Sequence, residues 1–436
     1  MSGIKLKHSE LEHSETWQCR GCMPFTFFRN RAAAVVCALA VLSACASTPP
    51  AVMVVDAPPL RVVAEPVGPD GLESYDAETL FLRALDLLEG DAWADAADYF
   101  ARLIREFPDD SHVVLAHYNL GVAFIHLGKG NDAVSAFDSY LAALPEIGHA
   151  RDRLDGRFKR GQALAVARRY EEVVSVFDEM LVEALDVDDQ IEALVDSGVG
   201  HYMLGLLPGG DEMHRPTAES RFLQARRIAR QEGEKRRLDS SSFFTTQAAF
   251  YLAELAHLDF TEYKMKWPAA VDINEVEAKA PDGALEALLG AQLEEKCQRL
   301  LRAQYQYLRA IREGHAGWAS AAGFKVGQMY VEMHQEMVEL PAPSDLTPEQ
   351  QEIYVQMVRK KVLILLEKAE KTWTQTADMV VRTGAEGEWG KKTRDSLASL
   401  RQLMNQEHAA AAAADAADKD ESVPVIPVAD AGKGKS

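Results

Sequence analysis

The sequence has few cysteines and shows no signature of catalysis or metal binding. Five of its 436 residues are cysteine, and the one C-x-x-C pair, Cys19 and Cys22, has no second pair to complete a zinc site. No phosphate-binding loop, nucleophile elbow or H-E-x-x-H helix motif occurs. The sequence therefore predicts no catalytic residue, no metal site and no cofactor.

Basic residues are also in deficit. The chain has 47 Lys and Arg against 67 Asp and Glu, a net charge of −20. Binding to DNA or RNA depends on Lys and Arg contacts with phosphates. We therefore expect protein partners, with no nucleic acid and no small-molecule substrate.

A long apolar run suited to a transmembrane helix is missing, but a shorter one lies near the N-terminus. Arg29 and Arg31 precede an uncharged stretch over residues 32–41, which is shorter than the roughly 20 residues that span a membrane. A basic segment, a short apolar run and a small-residue site together predict a secretory signal over residues 1–44. Because the lead before this run is long, we expect the natural start at Met23.

The end of the signal, Leu42-Ser43-Ala44-Cys45, resembles the bacterial lipobox. That resemblance implies that Cys45 receives a diacylglycerol, that the signal is cut before it, and that the new amino terminus is acylated, for example with palmitate. It also implies sorting to the outer membrane, because Ala46 rather than Asp follows the cysteine. The alternative is an ordinary signal peptide in which Cys45 has no role. Residues 45–72 are rich in proline, which predicts an extended tether.

The middle of the chain, residues 73–263, is a repeat. Two helix-pair patterns end at Pro108 and Pro145, and the second carries Gly121 and Phe137 at consensus spacing. A weaker unit surrounds Gly161, another lies around residues 198–225 with a loop about eight residues longer, and a fifth begins near residue 243. The pattern resembles tetratricopeptide repeats. It predicts an all-α, right-handed superhelical solenoid with longer, degenerate C-terminal helices.

After a connection at residues 264–284, residues 285–405 contain long helical patterns. They predict a continuation and cap of the solenoid, with a separate helical domain as the alternative. Three tryptophans in this region, Trp318, Trp373 and Trp389, are interpreted as core residues rather than as a ligand cage. The Ala- and Asp-rich stretch at residues 406–436 is predicted to be a disordered tail.

In such repeats the first helix of each pair lines the concave face, where a partner segment binds. The predicted groove residues are Asn119, Val122 and His126 in the second pair, and Lys159, Gln162 and Ala163 in the third. The predicted mechanism is binding by a scaffold that the lipid fixes at the periplasmic face of the outer membrane.

Several C-terminal stretches, among them WASAAGFKVGQMYVEM and EWGKKTRDSLASL, resemble the long repeat lipoproteins of myxobacterial adventurous gliding motility. This resemblance implies a subunit of an envelope machine with envelope proteins as partners. One alternative is an adaptor for β-barrel assembly or for peptidoglycan and Tol–Pal-type maintenance. A remote alternative is a lytic transglycosylase-like enzyme using an acid near Trp389, such as Glu386.

Overall fold

The computed structural model describes residues 61–63, 73–145, 147–183, 185–236, 243–265, 284–342 and 347–421. These residues form thirteen α-helices and one antiparallel pair of short strands, β1 (Arg61–Val63) and β2 (Glu73–Tyr75). The predicted signal and the predicted lipidation site, Cys45, lie outside them. The chain divides into two compact units, one ending at Met180 and the other beginning at Leu181, so the division falls inside the predicted repeat region.

Unit 1 contains three helix pairs: α1 (Ala77–Glu89) with α2 (Trp93–Glu106), α3 (Val113–His126) with α4 (Gly130–Ala143), and α5 (Ala150–Val166) with α6 (Tyr170–Met180). Each helix packs on the next one in the chain, both within a pair and between pairs. The core is the continuous apolar interior between them, as expected where one pair cannot bury its apolar face alone.

A glycine facing an aromatic ring sets the spacing within the second and third pairs of unit 1. A methyl group on Gly121 would lie 2.6 Å from the ring of Phe137, and one on Gly161 would lie 2.4 Å from Phe177. Neither distance is possible for real carbon atoms, so only glycine allows the helices to approach this closely. Phe137 and Phe177 are fully buried, and each contributes about 1.5–3 kcal/mol of hydrophobic stabilisation.

Unit 2 contains three more pairs and a final helix: α7 (Val187–Leu204) with α8 (His214–Arg236), α9 (Phe243–Glu262) with α10 (Ala284–Arg312), α11 (Ala316–Glu339) with α12 (Pro348–Thr383), and α13 (Glu388–Glu421). The first pair repeats the small-to-aromatic contact, with Gly198 against Phe222. Its longer connection accommodates the inserted loop that the sequence shows.

The long C-terminal helices continue the same stack within unit 2. α10 packs on both α9 and α11, and α12 packs on α11 and α13. Gly327 of α11 lies against the indole of Trp373 of α12, and the indole nitrogen donates a hydrogen bond to the carbonyl of Phe324 at 2.8 Å. The helices after residue 284 are therefore built into the array rather than set apart from it.

Helix α12 begins and ends with strong local signals. Thr347 caps its first turn, Gln350 returns the hydrogen bond, and Pro348 occupies the first helical position, where its missing N–H costs nothing. The helix ends at Thr383, and the residue that caps it, Gly384, has a φ of 65°, which glycine adopts readily. The sequence predicts a helix from about Glu349 to about Arg382, and the observed bounds differ by one residue at each end.

The last helix extends beyond the boundary predicted at residue 405. α13 continues to Glu421 through a run of alanines, the residue with the highest intrinsic helix propensity. The high alanine content therefore favours helix in this segment. The rest of the predicted tail, residues 422–436, lies outside the described residues.

Candidate partner-binding surfaces

The six predicted groove residues lie on α3 and α5, the first helices of the second and third pairs. Asn119, His126 and Lys159 reach the surface of unit 1. By contrast, Val122, Gln162 and Ala163 are buried between neighbouring helices. The buried three support the packing, so only the other three side chains can contact a partner.

A surface with a shared register runs along the first helices of unit 1. Leu82, Asn119 and Lys159 occupy equivalent positions in α1, α3 and α5, and Leu115, Asn119 and His126 follow one side of α3 at helical spacing. Leu82 is 53% exposed and Leu115 is 49% exposed. We call these five residues the first-helix face.

Trp93 adds an aromatic plate to this face. Its ring stacks on His126 with centroids 3.7 Å apart and an interplanar angle of 2°. Desolvation lowers the pKa of His126 below its ordinary value, and the charge of Lys159 lowers it further against the opposing effect of Asp91. A neutral imidazole therefore lies flat on the indole at neutral pH, one side of it open to a partner.

The electrostatics of the face are set by Lys159. Its ammonium donates a hydrogen bond to Oε1 of the buried Gln162 at 3.1 Å.

The sequence did not predict Trp93, because helical spacing relates residues within one pair, whereas its stacking partner His126 belongs to the next pair.

The first helices of unit 2 do not offer a comparable surface. Fifteen of the eighteen residues of α7 and thirteen of the twenty residues of α9 are buried. An open first-helix face is therefore a property of unit 1.

Unit 2 instead contains a polar core. Glu254 of α9 receives hydrogen bonds from Lys325 Nζ at 3.0 Å, from the hydroxyl of Tyr307 and, at 3.5 Å, from that of Tyr202. All four residues are buried. Burial alone raises the pKa of Glu254, but the charges of Lys325 and His257 outweigh it and hold that pKa below the ordinary value. The carboxylate therefore stays ionised in the interior.

His257 extends this network to α11. Its Nδ1 lies 2.9 Å from the Tyr307 hydroxyl and its Nε2 lies 2.7 Å from Glu332 Oε2. Because Tyr307 gives its proton to Glu254, its oxygen can only accept from His257, and the Glu332 carboxylate can likewise only accept. His257 of α9 therefore connects α10 and α11 through its two ring nitrogens.

Lys296 makes a second polar connection between helices. Its ammonium is fully buried and donates to the carbonyl oxygens of Phe260 and Tyr263, each at 2.7 Å, and to Glu336 at 2.8 Å. The carbonyls belong to the C-terminal end of α9, which carries partial negative charge. A lysine of α10 therefore caps α9 from outside.

The remaining sequence predictions concern chemistry. Trp318 and Trp373 are buried among other side chains, while Trp389 is half-buried against Phe324, with ring centroids 5.5 Å apart. Glu386 is exposed and forms an ion pair with Arg394 at 2.9 Å. Within the described ranges, no group of three or more His, Cys, Asp or Glu could hold a metal ion. No helix among the described residues has the length and apolar character to cross a membrane.

Comparison with known proteins supports the repeat assignment. A tetratricopeptide-repeat family model matches residues 78–110, which cover α2 and all but the first residue of α1. The matched segment and the helix pairs of both units confirm the predicted fold class, which is all-α with helix pairs of the tetratricopeptide type and longer C-terminal helices. Repeats of this kind serve as scaffolds for protein–protein interaction, and no catalytic family matches.

Several solved structures are similar at low identity. A tetratricopeptide repeat protein from Parabacteroides merdae ATCC 43184 is 13% identical, with 73% of this chain and 98% of that chain covered and a TM-score of 0.34. Apo RapI is 11% identical, with 76% and 100% covered and a TM-score of 0.37. A Rap protein complexed with competence and sporulation factor is 13% identical, with 76% of each chain covered and a TM-score of 0.34. Comparison with curated proteins found no match.

Proposed function

We propose that this chain is a lipoprotein of the bacterial outer membrane that acts as a protein-interaction scaffold in an envelope machine. The observation that carries the proposal is the sequence Leu42-Ser43-Ala44-Cys45 after an uncharged run, followed by a proline-rich segment and then by helix pairs. Several acyl chains on one cysteine give stable membrane anchoring, whereas one chain binds only marginally. The helix pairs then work at a fixed distance from the membrane surface.

The partner site in this proposal is the first-helix face of unit 1. Leu82 and Leu115 supply exposed apolar area, Trp93 and His126 supply an aromatic plate, and Lys159 supplies a positive charge. Aromatic residues in such positions contribute strongly at interfaces. The chemistry suits a segment of an envelope protein that carries apolar side chains beside a carboxylate.

Among envelope machines, the resemblance of the C-terminal stretches favours the machinery of gliding motility. An adaptor for β-barrel assembly, or for peptidoglycan and Tol–Pal-type maintenance, would use the same anchor and the same face. The identity of the proteins that bind the first-helix face therefore distinguishes these functions.

The anchor is tested by Cys45→Ser, with Cys37→Ser as the matched control because Cys37 lies in the predicted signal. We expect the native chain and the control to incorporate labelled palmitate and to fractionate with the outer membrane. The Cys45→Ser chain should do neither. If it stays in the membrane fraction, Cys45 is not the anchor and the proposal fails.

The partner face is tested by Leu115→Glu, which places a charge on the exposed apolar part of the face. Affinity purification from solubilised membranes should then lose proteins that the native chain retains, because a buried unpaired carboxylate opposes binding. Ile147→Glu is the control, since Ile147 is exposed but lies in the loop after α4. Equal losses in both variants, or no loss in either, would place the binding site elsewhere.

A further inference from the structure

The outer side of α10 in unit 2 carries an apolar ridge. Leu301, Tyr305 and Leu308 are 59%, 57% and 37% exposed and follow one another at intervals of four and three residues. That spacing places them on one side of the helix. The opposite side, with Tyr307 and Ala310, is fully buried in unit 2. We call the three exposed residues the α10 ridge.

The charge around this ridge is opposite to that of the chain. Residues 296–312 contain five Lys and Arg and no Asp or Glu, although the chain as a whole has a net charge of −20. Lys296 points inward to Glu336, and Arg299 pairs with Asp259. The positive charge beside the ridge therefore comes from the other three cations.

Those three are Arg302, Arg309 and Arg312. Arg302 is 3.7 Å from Asp259, with a side chain 66% exposed. Arg309 donates to Gln306 and lies over the ring of Tyr305, 6.0 Å from its centroid. Arg312 is exposed one turn beyond Leu308. Asp259 is shared between Arg299 and Arg302, so it offsets only part of this positive charge. Tyr and Arg are enriched in the centre of protein interfaces, where Lys is depleted.

We propose that the α10 ridge is a second docking surface, and that its occupant is an acidic amphipathic helix of a partner protein. A ridge with spacing of four and three residues is the shape against which another helix packs. The arginines beside it select carboxylates on the flank of that helix. A second copy of this chain fits poorly, because two such ridges would bring Arg302, Arg309 and Arg312 of both copies together.

This inference does not depend on the lipid anchor or on the first-helix face. It predicts that the α10 ridge binds its partner equally well in the Cys45→Ser and Leu115→Glu chains. Loss of binding through the α10 ridge and failure of the proposed function are therefore separate outcomes.

Cys297 provides the experimental handle. It is an exposed free cysteine one turn before Leu301, so a maleimide benzophenone attached to it reports contacts along the ridge without altering the ridge. The full chain with Cys19, Cys22, Cys37 and Cys45 changed to serine, which leaves Cys297 as its one thiol, is labelled and illuminated in a solubilised membrane extract, and the crosslinked peptides are sequenced. A Cys297→Ser, Val381→Cys chain is the control, because Val381 is exposed on a different helix.

We expect the adduct to map to a segment that is acidic and has apolar residues at helical spacing. Arg309→Glu should reduce the adduct about tenfold or more, because like charges at an interface are strongly disfavoured. The double variant Leu301→Ser, Leu308→Ser, which removes exposed apolar side chains, should abolish the adduct. When a Glu of the mapped partner segment is changed to Arg, the Arg309→Glu chain should form the adduct again.

Four results would overturn the proposal. Three concern the crosslink: an adduct no stronger than that of the Val381→Cys control, an adduct with a second copy of this chain, or an adduct on a segment without acidic helical character. The fourth is that the chain floats with phosphatidylglycerol vesicles and that Arg309→Glu abolishes this flotation. The last result would assign the ridge to a lipid surface instead.

Discussion

Replacing Lys325 by methionine removes the cation from the polar core of unit 2 while keeping the shape of its side chain. Lys325 and Glu254 lie 3.0 Å apart, and their side chains are only 8% and 9% exposed. The variant leaves the Glu254 carboxylate buried without its main counter-charge. Removing one partner of a buried ion pair costs about 3–5 kcal/mol, so the free energy of unfolding of unit 2 should fall by that amount.

A second substitution decides whether the ion pair itself causes this loss. Glu254→Gln removes the stranded charge, and the glutamine carbonyl still accepts a hydrogen bond from Tyr307. The double variant Lys325→Met, Glu254→Gln should therefore be more stable than Lys325→Met alone. We expect a coupling energy of about 2 kcal/mol or more between the two sites, within the range measured for residues in contact.

Urea unfolding at neutral pH, followed by tryptophan fluorescence, to which the buried Trp318 and Trp373 of unit 2 contribute, measures these differences. Lys361→Met is the control, because Lys361 is an exposed lysine on α12 and its loss should change stability by less than about 0.5 kcal/mol. If the costs of Lys325→Met and Glu254→Gln simply add in the double variant, the reasoning about a coupled buried pair is refuted.

Two further predictions concern packing and pH. Gly327→Ala should destabilise unit 2 by roughly 2–4 kcal/mol, because a methyl group would lie 2.3 Å from Nε1 of Trp373 and would displace the indole from its hydrogen bond. Thermal unfolding measures the loss of stability, and the emission maximum of tryptophan reports the displaced indole. An unchanged melting temperature would contradict the prediction. Glu254 and Glu332 both have a pKa below the ordinary 4.5, so their contribution to stability is present above about pH 4.5 and is lost as the pH falls through the lowered values. An acid titration monitored by circular dichroism should show this loss, and Glu254→Gln should make it shallower; an identical acid limb in that variant would show that the pair is not responsible.

Much of the helical architecture was predictable because its signals are local. Gly121 and Phe137 belong to one pair and lie sixteen residues apart, so their packing follows from a repeated spacing that is visible in the sequence. The start of α12 was also predictable, because Thr347 and Gln350 bind the free backbone N–H groups of its first turn and Pro348 has no N–H to satisfy.

The polar core could not be predicted because its members are distant in the chain. Tyr307 lies 53 positions from Glu254, and Lys325 lies 71 positions from it. Nothing in the sequence around any one of them specifies its partners. In the candidate site, the residues that reach the surface, Asn119, His126 and Lys159, followed from repeat spacing. Trp93 did not, since its stacking partner lies in the neighbouring pair.

The capping of α9 by Lys296 has a mechanical consequence. Moving α10 along α9 by one turn, about 5.4 Å, would strand a fully buried ammonium and leave the carbonyl oxygens of Phe260 and Tyr263 without their donor. Small displacements along the α9–α10 contact therefore cost these hydrogen bonds, whereas at an apolar helix–helix interface the side chains can re-pack in small steps. The α9–α10 contact should therefore resist small sliding displacements and yield only when Lys296 loses its hydrogen bonds to Phe260, Tyr263 and Glu336.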